Sequence, residues 1–214
     1  LNLPAQYYYN DIVGTMETNR QMQTYKANKI KTVSAAGYNK DGVKENNFSE
    51  FQEVKENGMS LKTSSISNLN KTVVYHLYDN LGRVTSSSDS SSGLQSTTSY
   101  EYDPAGRITR IRNTIKDPAN DFNQTETHQW TYNVYGKPEK MWRIIMSGID
   151  NTSDSLEIRF VTDENGNTAE ERTFRKGREI GYLYYYYDDK NRITDLVRYN
   201  TKLKKLLPDF MFEY

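Results

Sequence analysis

Two histidines, scattered carboxylates, a serine-rich stretch and a run of five tyrosines make up the chemistry this chain has to offer. A histidine becomes a metal ligand when further ligands stand at motif spacing. Neither His76 nor His128 has such a neighbour, and both occupy slots that are apolar or aromatic elsewhere in the chain. Each therefore reads as packing, and no metal is expected. Asp79, Asp103, Asp163, Asp188 and Asp189 recur in turn-like phrases. Catalytic acids need a shared, desolvated site, whereas acids one repeat apart in turns are solvated singly. The dense oxygen spacing of a calcium loop is missing too. Ser86–Ser88 and Ser90–Ser92 lack the flanking glycines of a nucleophile elbow and read as a polar loop. No glycine-rich phosphate cradle occurs. The expectation is a non-enzymatic chain with no catalytic residue and no cofactor.

The run Tyr182-Leu183-Tyr184-Tyr185-Tyr186-Tyr187 is the most unusual feature. On a strand, Leu183, Tyr185 and Tyr187 face one way; Tyr182, Tyr184 and Tyr186 face the other. With Tyr75, Tyr135 and Trp142 nearby, the second set would make an aromatic platform for sugar or peptide. Alternatively, a helix or a partner chain covers that face.

These residues sit in a repeat. The phrase Tyr78-Asp79-Asn80-Leu81-Gly82-Arg83-Val84-Thr85 returns as Tyr102-Asp103-Pro104-Ala105-Gly106-Arg107-Ile108-Thr109. Further copies start at Tyr132 (with Gly136), Thr162 (with Asp163 and Gly166) and Tyr187 (with Asp188 and Arg192), and Tyr214 opens one more. The steps between copies run from 24 to 30 residues. Two residues before each start stand His76, Tyr100, Trp130, Phe160, Tyr185 and Phe212. Positions four before are mostly apolar as well, and those between are more polar. That period of two makes each phrase the end of an incoming strand. Within the phrase, Asp or Asn bonds its own backbone ahead, and Gly82 or Gly106 supplies a left-handed residue. A hairpin turn with a bulge results. The basic residue after it opens the returning strand, where it can pair with the turn aspartate or lie over a tyrosine ring. Polar turns close the other ends, at 89–93, 117–123, 148–155, 175–178 and 200–208.

The phrase Tyr-Asp-x-x-Gly-Arg-Ile-Thr resembles the YD repeat of the Rhs and YD-repeat families, over roughly residues 70–214. That resemblance implies antiparallel meanders of the kind that coil into the shells of bacterial surface and toxin proteins. This chain is more similar to short, stand-alone exported proteins of the Bacteroides type, which are often lipid-anchored.

Residues 11–28 read as a helix capped by Asn10 and ended by Asn28. Tyr38–Gly42 and Val54–Gly58 keep the spacing of the phrase, so 30–70 reads as degenerate hairpins. One domain, 1–214, is expected: a helical segment (1–29), degenerate hairpins (30–70) and YD-type hairpins (71–214). The predicted fold is all-β, a meander of about a dozen strands curled into an open half-barrel, with the helix on one end or face. Basic and acidic residues balance at 28 each, which gives no reason to expect nucleic acid. Hydrophobic residues make up 35%, so the core is thin, and 18 tyrosines offset part of the deficit. Cysteine is absent, which excludes disulfides but not any compartment. No apolar run is long enough to span a membrane. The chain starts at Leu1 rather than methionine, so an upstream segment is expected, a removed signal peptide being one form of it. The resemblance implies export to the periplasm or outer surface, with a lipid anchor outside this chain as one way of holding it there. The expected role is a scaffold or binding module presenting a curved, tyrosine-rich sheet to protein or glycan. The alternative is a carrier holding a hydrophobic ligand in the concave side, which would need a lined cavity of several hundred Å³, by order of magnitude.

Overall fold

A computed structural model describes residues 6–68, 70–89, 94–117, 119, 122–150, 152–200 and 202–214. Of the serines read above as a polar loop, Ser86–Ser88 instead lie inside the strand Val84–Asp89, paired on both sides, and Ser90–Ser92 lie outside the described residues. Among the described residues, fourteen strands form one sheet in chain order, each antiparallel to the next. They are β1 (Thr32–Tyr38), β2 (Lys44–Lys55), β3 (Ser60–Ser67), β4 (Asn70–Tyr78), β5 (Val84–Asp89), β6 (Gln95–Tyr102) and β7 (Ile108–Asp117). The second half comprises β8 (Phe122–Tyr132), β9 (Pro138–Ser147), β10 (Ser153–Thr162), β11 (Thr168–Arg175), β12 (Arg178–Tyr187), β13 (Ile193–Asn200) and β14 (Lys205–Met211). β1 and β14 do not pair with each other, so the sheet is open. The degenerate hairpins at 30–70 belong to the same sheet as β1, β2 and β3.

Each phrase is the predicted bulged turn. Gly82 donates its N–H to Asp79 O (3.0 Å) and Asp79 donates back to Arg83 O (2.9 Å). Gly82 has φ +74° and Gly106 +82°, the left-handed region that glycine enters without strain. Asn191, which fills the same slot in the last full copy, holds φ +57°. Tyr38–Gly42 makes the same turn, with Gly42 donating to Asn39 O. Val54–Gly58 does not: Val54 lies inside β2, and a short 3₁₀ turn over Glu56–Gly58 joins β2 to β3. At the opposite ends, strands run further than the turn residues suggested. Asn123, Ser155 and Pro208 lie inside β8, β10 and β14. Pro208 is tolerated because β14 is an edge strand, where a missing N–H costs no ladder bond.

The helix begins earlier than the capping pattern suggested. A π-helical segment, Tyr8–Val13, runs directly into α1 (Gly14–Ala27). Asn10 is no cap; its N–H already donates to Gln6 O at 2.9 Å. The start is set from the sheet instead, by the buried carboxylate of Glu171 described below. Asn28 does end the helix, its side-chain amide donating to Thr24 O at 2.9 Å.

The helix lies along the inner face of the sheet, with three clusters between them. Met22 packs with Leu61, Tyr78 and Val84. Tyr7 packs with Ile108, Trp130, Met141 and Phe160. Tyr8, Tyr9 and Val13 pack against Leu183, Tyr185, Ile193 and Leu196. The Tyr7 ring meets His128 of β8 at 5.2 Å, and the Tyr9 ring meets Phe212, just past β14, at 5.4 Å. Six strand spacings separate β8 from β14, about 29 Å on a flat sheet. Two residues of one helix cannot span that, so the sheet curls around the helical segment. This is the expected half-barrel, with the helix filling its concave side rather than shielding an edge.

Candidate functional site

Three arrangements concentrate the polar and aromatic residues: a ladder along the turns, a buried ionic network under the helix, and the outer face.

The ladder joins a repeat to the next wherever arginine fills the basic slot. Asp79 Oδ1 accepts from the N–H groups of Leu81 and Arg83, both at 2.9 Å, while Arg83 Nε donates to Oδ2 at 2.7 Å. Asp103 with Arg107 and Asp188 with Arg192 repeat the pair. Burial pushes the Asp79 and Asp103 carboxyls up, but bonds from the arginine backbone and guanidinium outweigh it and hold both below the usual range. Each arginine also reaches forward. Arg83 lies over the ring of Tyr102 (4.8 Å), Arg107 over Tyr132 (4.7 Å) and Arg192 over Tyr214 (4.3 Å). The hydroxyls of those tyrosines donate back, to Val84 O, Ile108 O and Ile193 O. Both expected roles of the arginine are therefore met at once, one within its own repeat and one in the next. Asn133 and Asp163 keep the turn bonds, but Lys137 and Asn167 stand in the basic slot. Gly136 and Gly166 hold the same left-handed φ as Gly82.

The ionic network was hidden in the sequence. His128 Nδ1 lies 2.7 Å from Asp11 Oδ2 on the π-helical segment, and Nε2 lies 2.8 Å from Glu126 Oε1 on its own strand. Trp130 Nε1 donates to the same Asp11 oxygen at 2.9 Å. Arg143, opposite His128 on β9, grips both Glu126 oxygens at 2.7 and 2.8 Å. Desolvation works against charge on His128, but its two carboxylate partners raise it to about 9. Burial likewise opposes Glu126, and His128 with Arg143 draws it down to about 2. His128 is thus a charged clamp between helix and sheet, not the apolar filler its slot suggested. Both ring nitrogens are engaged, which leaves neither free to bind a metal or relay a proton. Among the described residues there is no metal-binding cluster of His, Asp and Glu. His76 does fit the packing expectation: it is half-buried, 6.3 Å from the Tyr78 ring, and desolvation lowers its pKa.

Glu171 is the second buried acid missed from sequence, 1% exposed on β11. It accepts from Gln6 N–H (3.1 Å), Tyr8 N–H (3.2 Å) and the Tyr185 hydroxyl (2.9 Å). Burial raises its pKa, and the helix N–H groups work against that rise. It serves as a helix N-cap delivered from another element.

The predicted aromatic face divides. The Tyr182 and Tyr184 rings stack at 6.5 Å with planes 6° apart, and Tyr186 is 45% exposed beside them. Trp142, 39% exposed, is on β9, with β10 and β11 between it and the tyrosines. The ion pairs Glu157–Arg159 and Glu170–Arg172 fill the interval. Tyr135 is in a turn and Tyr75 on distant β4, so the structure does not gather these residues into one platform. The helix does not cover the Tyr182–Tyr186 stripe. On the inner face a hollow of about 270 Å³ is bounded by Ile111, Asn113, Ile115, Gln124, Glu126 and His128. No helix is long and apolar enough to cross a membrane, among the described residues.

Residues 78–114 match the family model for the RHS Repeat. No curated protein matches the chain. Among solved structures, the chain is similar to one titled "Crystal Structure of TcdB2-TccC3-TEV", at 9% identity, over 77% of this chain and 11% of that one, with a TM-score of 0.24.

Proposed function

We propose, for a chain that carries RHS repeats of the YD kind, a non-enzymatic exported scaffold whose curved outer face recognises protein or glycan. One observation carries this: the helix fills the concave side, so recognition falls to the outer face, where the Tyr182, Tyr184 and Tyr186 stripe stands uncovered. The engagement of both His128 nitrogens supports the non-enzymatic part. The inner hollow favours a scaffold over a carrier, since four of its six lining residues are polar or charged and the helical segment packs beside it through Tyr7, Tyr8 and Ile12. Export fits a repeat built on turn ion pairs and tyrosine rather than a deep apolar core.

The test is a titration of the purified protein against glycan and peptide panels, followed by tyrosine and tryptophan fluorescence. A ligand bound by wild type but at least tenfold more weakly by Tyr184→Ala supports the outer-face reading. Binding unchanged in Tyr184→Ala, Tyr186→Ala and Trp142→Ala overturns it. Fractionation of cells making the native gene product checks export, which recovery in the cytosol would refute.

A further inference from the structure

A trough of about 500 Å³ lies over β6, β7 and β8, away from the tyrosine stripe. Its lining is wholly hydrophilic. Thr97, Ser99, Thr114 and Thr125 give hydroxyls, two side-chain amides join them, and Arg112 and Lys116 bring positive charge. The register sets these residues in ordered rows. Arg112 stands opposite Ser99, Thr114 opposite Thr97 and Thr125, and Lys116 opposite Gln95 and Asn123. All point away from the helix, since their strand neighbours Ile111, Asn113 and Ile115 face the inner hollow.

We propose that this trough binds an acidic glycan, an oligosaccharide carrying carboxylate or sulfate groups along its length. Charge complementarity is the first reason. Arg112 and Lys116 are exposed and form no ion pair among the described residues, although arginines elsewhere in the sheet are paired. No acid lines the trough, and nearby Glu101 is already held by Arg110 at 3.0 Å. The two cations sit four residues apart on β7, roughly 13 Å along the strand. That separation suits acids spaced along a chain better than one small anion. Guanidinium matches planar carboxylate or sulfate through paired N–H donors. The hydroxyls and amides between the cations supply the donors and acceptors that sugar hydroxyls need, and the lining offers no apolar pocket to anchor a peptide side chain. Trp142 lies two strands over and one row along, roughly 12 Å from Arg112 by strand spacing, where its exposed ring can stack on a sugar further along the chain.

Calorimetric titration with tetragalacturonate and with a heparin tetrasaccharide tests this, using tetraglutamate and neutral cellotetraose as controls. The expected result is binding of at least one acidic oligosaccharide, weakened at least tenfold in Arg112→Ser/Lys116→Ser and by raised salt. Melting should not change, because both side chains are exposed. The Tyr184→Ala variant should bind as wild type, which separates this site from the tyrosine stripe. No binding of either acidic oligosaccharide overturns the proposal, as does equal binding by the double variant. Tetraglutamate bound as tightly as the sugars would overturn the assignment to a glycan.

Discussion

Replacing Asp11 by alanine should destabilise the fold and flatten its response to alkali. Asp11 is 8% exposed and serves two donors, Trp130 Nε1 at 2.9 Å and His128 Nδ1 at 2.7 Å. Breaking a buried charged pair and orphaning an indole N–H costs about 3–4 kcal/mol. For a chain of this size that lowers Tm by roughly 6–16 °C. The pH dependence is the sharper signature. His128 is raised to about 9, so its contribution is fully present below the unfolded value near 6.5 and is lost as pH rises through 9. The rise corresponds to about 3 kcal/mol. Tyrosines do not obscure this window, because those with resolved shifts, such as Tyr7 and Tyr132, are raised in the fold and matter only above roughly pH 10. Urea unfolding followed by circular dichroism from pH 6 to 9.5 should show wild type losing about 3 kcal/mol. The alanine variant, with only Glu126 left on the imidazole, should lose about half of that. A wild-type curve flat across the window, or a variant that falls as steeply, would refute the clamp.

Four further outcomes follow from the geometry. Gly106→Val should cost about 1–2 kcal/mol through strain at φ +82°, since an added Cβ meets nothing closer than Arg83 at 3.8 Å; Gly106→Asn should melt near wild type, and equal melting of the valine variant would count against the turn. Arg83→Ala removes both the Asp79 pair and the stack on Tyr102, a loss of about 1–2 kcal/mol by denaturation that Arg83→Lys should only partly restore. Glu171→Ala should release the start of the helix, seen as faster hydrogen exchange at the amides of residues 6–10 with the β9–β10 amides unchanged. At low pH Glu126 and Glu171 act oppositely. Glu126, held near 2, contributes stability above roughly pH 4.5 that is lost as pH falls through 2. Glu171, raised by burial, instead favours the fold once protonated, so the acid limb should be shallower in wild type than in Glu171→Gln.

Local patterns were legible because their causes are local. Asp79 to Arg83 is a contact across four residues, and the strand period fixes which of Tyr184 and Tyr185 is buried. The turn glycines, the arginine pairings and the end of the helix at Asn28 follow from such short spacings. The network at His128 was not legible because its partners come from everywhere: Asp11 from the helix 117 positions away, Arg143 from the register of the next hairpin. One trace did exist. Glu126 and His128 lie two apart on the same strand face, and an acid beside a histidine on an inward face needs a charge-balanced setting. Glu171 gave even less, since its role is to cap the start of a helix in another part of the chain.

The ladder and the clamp together account for how a chain with only 35% hydrophobic residues holds fourteen strands. A flat sheet of that width would need apolar cover over an entire face. Curling brings strands as distant as β3 and β13 within reach of one helical segment, so the apolar side chains need only form a stripe, including Leu61, Ile111, Ile158 and Leu196. Toward the turns that stripe gives way to Arg-on-Tyr stacks, each linking a repeat to its successor without a deep core. The helix is thereby both the template and the filling. Weakening its hold, at Asp11 from the middle of the sheet or at Glu171 from β11, should loosen the curl before it loosens any single hairpin.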